Sequence, residues 1–178
     1  MEIERLTYLS YLLSDEEKKI ELQTIYSYLD YKIDCKTWSY GKVKECQYLL
    51  SKPITHQTVI DIVGMQIDQP ILALDAHIVL ATFNGIVKSI SEISEIENNA
   101  NGHVASGNEL IASEEVGGFA VFGYLPELDR LAMGDILKYE AIKKLSWEEC
   151  FNKLTYDVRQ AKYNDKLMKL EYGKKENT

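Results

Sequence analysis

Between Glu114 and Tyr139 the chain reads EEVGGFAVFGYLPELDRLAMGDILKY, and glycines at 117, 118 and 134 cut its apolar runs into short pieces. With ELIAS before them, GFAVFGY and DILKYEAI are β-prone runs spaced as in an antiparallel meander, each glycine site marking a turn or bulge. The punctuation predicts that Phe119 and Val121 face a core, that Ile136 to Tyr139 lie in a paired strand, and that PELDRLAMG connects the runs. No catalytic motif lies between them, so the segment reads as a scaffold.

The N-terminal third carries a different period. Leu6, Leu9 and Leu13 recur at helical spacing, and Ser14 with Glu17 three residues on forms a capping box for a second helix from Asp15 to about Tyr31. That helix would bury Leu22, Ile25, Tyr26 and Leu29. A third helix over Val43 to Leu50 stops before Pro53, since proline disfavours helical geometry in the residue ahead of it.

The middle admits two readings. AHIVLATF and IVKSI flank Asn84-Gly85, a pair suited to the positive φ angles of a tight hairpin. Equally, ILALDAHIVLATF can be a buried helix that Asn84-Gly85 terminates. The polar stretch SEISEIENNANGHVASGN then reads as a surface loop with at most a short helical turn. Near the C terminus, Ser146 and Glu149 form a second capping box. Trp147, Phe151, Leu154, Val158 and Ala161 continue on one helical face to about Leu170.

Charge is unevenly placed. From Pro53 to Asp129 a single lysine, Lys88, stands against eleven acids, a net charge of −10, whereas the whole chain carries −8. Such a segment repels phosphate backbones and either draws a basic protein surface or serves as a solvated face that keeps the chain in solution. A nucleic-acid-binding regulator using the helical N-terminal third is the less favoured alternative, on a second ground as well. The run VKECQYLLSKPITHQTVIDIVG superficially resembles two helices with a break, but its second part offers Gln57 and Asp61 and no Lys or Arg. No apolar run reaches bilayer length, and MEIER lacks the plan of a signal peptide, so no membrane and a cytoplasmic location are expected. Cys35, Cys46 and Cys150 have neither disulfide nor metal-knuckle spacing and read as buried free thiols.

The best candidates for chemistry are Asp75 and His77, which would share a face if they lay on a strand. His56 and His103 have no partner at ligand spacing, so no metal, no cofactor and no catalytic set is assigned. A small enzyme with Asp75 and His77 near its site is the competing reading.

In order, FNGI (Phe83 to Ile86), NELIAS, GGFAVFGY, GDILKYE and the helix start SWEECFNKL resemble the SUKH superfamily over Phe83 to Leu154. The resemblance implies an α/β fold with N-terminal helices and a binding module, many bacterial members resembling immunity proteins that neutralise nuclease and related toxins. The sequence reading is therefore an α/β (α+β) chain with N-terminal helices, an antiparallel sheet in the second half and a long C-terminal helix. Residues 1–172 form one domain and 173–178 a frayed tail. Its function is that of a non-enzymatic interaction protein of immunity or antitoxin type. Loops would present Glu92, Glu95, Glu97, Glu114, Glu115, Glu127 and Asp129 to a basic, toxin-like protein partner.

Overall fold

The computed structural model describes residues 6–26, 29–101 and 120–175. Among them eight α-helices follow one another: α1 (Tyr8–Leu12), α2 (Glu16–Tyr26), α3 (Tyr40–Leu50), α4 (His56–Gly64), α5 (Ala76–Asn101), α6 (Leu125–Ala132), α7 (Tyr139–Lys143) and α8 (Trp147–Lys175). Single 3-10 turns lie at Cys35–Thr37, Ile71–Ala73, Ala120–Phe122 and Ile136–Lys138. The β pairing among the described residues is confined to two isolated bridges, Thr7 with Asp75 and Ser39 with Ser146. The expected antiparallel sheet is overturned, and the described chain is all-α. No helix among the described residues is long and apolar enough to cross a membrane.

The chain divides into two compact units. The first comprises Met1–Trp38 and Lys42–Ser94. Its share of α5 buries Ala76, Val79, Phe83, Ile86, Ile90 and Ile93, recurring in steps of three and four. That spacing passes straight through Asn84-Gly85, which is neither a hairpin turn nor a helix stop. What the pair does is admit a second segment. Residues 29–34 run non-helically beside α5, so α2 ends at Tyr26 and does not reach Tyr31. The Tyr31 N–H donates to the Ala81 carbonyl at 3.2 Å, and the Asn84 amide donates to the Leu29 carbonyl at 3.2 Å. A Cβ at Gly85 would overlap the Tyr31 carbonyl oxygen.

Two further expectations for this unit change. The face of α1 that is buried carries Tyr8 and Tyr11, stacked with ring centroids 5.7 Å apart, while Leu9 and Leu13 are exposed. Asp15, not Ser14, opens α2, its carboxylate accepting from the Lys18 N–H at 2.8 Å, while the Ser14 hydroxyl donates to the Ser10 carbonyl.

The second unit comprises Ser39–Gly41 and Glu95–Thr178. Here the expected meander is helix and turn. In GFAVFGY, Ala120–Phe122 is a 3-10 turn followed by Gly123 at φ 57°, and Val121, expected in the core, is 78% exposed. PELDRLAMG is not a connection but the body of α6, with proline in its first turn, where the missing N–H costs nothing. Met133 closes it in the left-handed region, and the Gly134 N–H returns to the Asp129 carbonyl at 3.0 Å. DILKYEAI is a 3-10 turn running into α7, with Ile136 and Leu137 exposed. ELIAS and Phe119 lie outside the described residues.

At Ser146 the sequence signal holds. The Glu149 N–H donates to the Ser146 hydroxyl oxygen at 3.3 Å, and the Ser146 N–H donates to the Glu149 carboxylate at 3.1 Å. From that cap α8 runs to Lys175 and buries Trp147, Cys150 and Leu154 near its start, while α6 contributes Leu128 and Ala132 to the core.

Candidate interaction site

In the second unit Tyr40 is fully buried, and its hydroxyl donates to the Glu127 carboxylate on α6 at 2.7 Å. Burial, reinforced by the Glu127 carboxylate, holds the phenol protonated far above the ordinary range of tyrosine, and Glu97 adds to the effect. Glu97, on the last turns of α5, accepts from the indole N–H of buried Trp147 at 2.7 Å. Tyr124 meets the Tyr40 ring edge-on at 6.3 Å. Two acids expected at a docking surface therefore converge on one buried tyrosine. Both are positioned by neutral donors, Glu127 by the buried phenol of Tyr40 and Glu97 by the indole of Trp147.

Glu127 also reaches a second feature. A groove of about 660 Å³ lies between α6 and α8, floored by Leu154, Val158 and Ala161 and rimmed by Glu127, Arg130, Lys162 and Asp165. Arg130 is turned toward Asp157, their charged atoms 3.9 Å apart. An apolar floor with charged groups of both signs around it suits an apolar side chain flanked by polar ones.

The other residues singled out in the sequence fall in several places. Asp129 on α6 accepts from the Tyr139 hydroxyl at 2.6 Å, a bond that raises the phenol's affinity for its proton. Glu95 is exposed on α5 in the second unit, and Glu92, on the same helix, belongs to the first. Both sit on helix where a loop was expected. Glu114 and Glu115 lie outside the described residues. The strand that would have aligned Asp75 with His77 is absent. Asp75 forms the bridge to Thr7 and His77 lies in the first turn of α5, where a two-residue step turns side chains apart. No group of three or more His, Cys, Asp or Glu side chains among the described residues is placed to hold a metal ion.

All three cysteines are free and buried. Burial pushes the Cys46 thiol up to about 12 and Cys150 to about 11, and raises Cys35 as well.

Sequence reasoning missed one cavity in the first unit. About 500 Å³ in volume, it is lined by Asp30, Asp34 and Glu92 and by Lys32, Lys36 and Lys88, beside Gly85. Lys88 and Asp30 pair at 2.8 Å, and the balance of three acids with three lysines favours neither sign of ligand. Its signal in the sequence was the Asn84-Gly85 pair, which marks a close approach as well as a turn.

A comparison with family models, with curated proteins and with solved structures finds no match to this chain.

Proposed function

We propose that this chain is a non-enzymatic interaction protein that docks a basic protein partner, with the groove between α6 and α8 as the seat. One observation carries the reading. Glu127, an acid of the strongly negative middle of the sequence, is held by Tyr40 at the rim of a groove whose floor is apolar. An anchor side chain supplies affinity by burial on Leu154, Val158 and Ala161, and since Glu127 and Asp165 on the rim are balanced by Arg130 and Lys162, steering of a basic surface falls to the other acids of the negative middle segment. Its extension to an immunity protein against a nuclease-type toxin rests on the SUKH resemblance of Phe83 to Leu154 alone. The same reading places the chain in the cytoplasm, where three unpaired thiols stay reduced.

The test is affinity capture from the native cell by two baits, the whole chain and Ala161→Trp. Ala161 is exposed, so tryptophan fills the groove without entering the core. A basic protein retained by the first bait and lost with the second is expected. Equal retention by both would remove the groove from the account.

A further inference from the structure

We propose that the outer half of α8 pairs in parallel, as a short two-stranded coiled coil, with α8 of a second copy of this chain. Residues 159–171 are helical, yet every one is exposed. A helix of that length is marginal in water without packing against something. Four of its exposed apolar side chains, Tyr156 (59% exposed), Tyr163 (66%), Leu167 (37%) and Leu170 (58%), lie within about 40° of one line along the helix, with Gln160 between them, while Met168 (52%) lies off the line by about 120°. Leu154, Val158 and Ala161, which floor the groove, lie on the opposite face, so both surfaces can be used at once.

The stripe has heptad spacing. With Tyr156, Tyr163 and Leu170 at d, Gln160 and Leu167 take a, and the flanking positions separate by sign. Arg159 and Lys166 fall at g, while Asp157, Asn164 and Glu171 fall at e. Among the described residues Asp157 is occupied by Lys153 at 2.6 Å, whereas Arg159, Lys166 and Glu171 make no ion pair. In a parallel pair each g residue meets the e residue of the next heptad across the seam, so Lys166 faces Glu171 of the partner subunit. In an antiparallel pair g meets g and e meets e, which sets base against base and acid against acid. Charge therefore selects the parallel arrangement. A seam of little more than two heptads, with tyrosines and a glutamine in it, makes the dimer weak and concentration-dependent.

Sedimentation equilibrium of the whole chain at low salt, run up to the highest soluble concentration, tests this. The average mass is expected to rise above the 20.4 kDa of one chain as concentration increases, and Leu167→Glu should hold it there. Lys166→Glu should weaken association about tenfold, by turning two attractive exposed pairs into repulsive ones, and adding Glu171→Lys should restore it. Far-UV circular dichroism confirms that each variant is folded. A wild-type chain that stays at 20.4 kDa throughout overturns the proposal. So does association that Leu167→Glu leaves intact, or that Lys166→Glu strengthens, the latter being the antiparallel signature.

Discussion

Gly85 on α5 lies directly against the carbonyl oxygen of Tyr31, closely enough that a Cβ at 85 would overlap that atom. Glycine inside a helix ordinarily costs about 1 kcal/mol relative to alanine, so Gly85→Ala would stabilise a free helix. Here the obstructing atom is backbone and is tied by the neighbouring Tyr31 N–H to Ala81. Gly85→Ala is expected to lower the stability of the first unit by at least about 2 kcal/mol in urea unfolding. A gain would mean that residues 29–34 do not cross α5 there.

Four residues further along the same helix, Ser89 extends the same contact. Its buried hydroxyl accepts the backbone N–H of buried Cys35 at 2.9 Å, leaving that donor no other described partner if the hydroxyl is removed. Ser89→Ala should cost about 1–3 kcal/mol, as expected when a buried donor is left unsatisfied. Lys88→Ala, which breaks an exposed pair with Asp30, should leave the unfolding midpoint nearly unchanged. The pair of measurements separates a buried hydrogen bond from a solvated ion pair on adjacent residues.

Stability should fall with alkalinity. Burial, with a smaller contribution from Tyr11, raises Tyr8 from 10.0 to about 12, and burial raises Cys46 and Cys150 from 9.0 to about 12 and about 11. Each group binds its proton more tightly folded than unfolded. Its contribution is complete below the unfolded value and is lost as pH rises through the folded one, so the loss begins near 9.0 and continues to about 12. Thermal melts between those limits should show a steady decline in midpoint, and a flat profile would contradict the burial of these groups. At neutral pH the three thiols should react with a disulfide reagent only after denaturant is added.

The helices with caps and regular spacing were legible in the sequence, and the glycine-rich half was not. Ser146 and Glu149 announced α8 because both reciprocal bonds of the box form there, whereas at Ser14 and Glu17 the same pattern fails, the Ser14 hydroxyl turning back to the Ser10 carbonyl and Asp15 capping α2 instead. Gly134 misled because glycine closes a helix and turns a hairpin through the same positive φ, here 79°. LPELDRLAMG holds the evidence that should have decided, a proline in the first turn of a run with Leu125, Leu128 and Ala132 at helical steps. In α5 the apolar run HIVLATF masked the period, which emerges only when Ala76 to Ile93 is read as one span. For the site, Glu97, Glu127 and Asp129 were picked out by charge. Their aromatic partners Trp147, Tyr40 and Tyr139 lie 50, 87 and 10 residues away, and such pairings leave no mark on a single sequence.

The central claim is that negative charge in this chain guides a basic partner to a groove, and the association rate tests it most directly. Glu95 is exposed on α5, and the side-chain bond of Asp129 to Tyr139 among the described residues is an exposed one, so Glu95→Lys with Asp129→Lys should leave thermal stability nearly unaltered. Stopped-flow mixing with the captured partner at low salt should show association slowed by at least about tenfold in this double variant. Added salt should slow the wild-type chain toward the same rate. An association rate indifferent to both salt and charge reversal, with a captured partner that is not basic, would contradict the account and leave the acids as a solvated face.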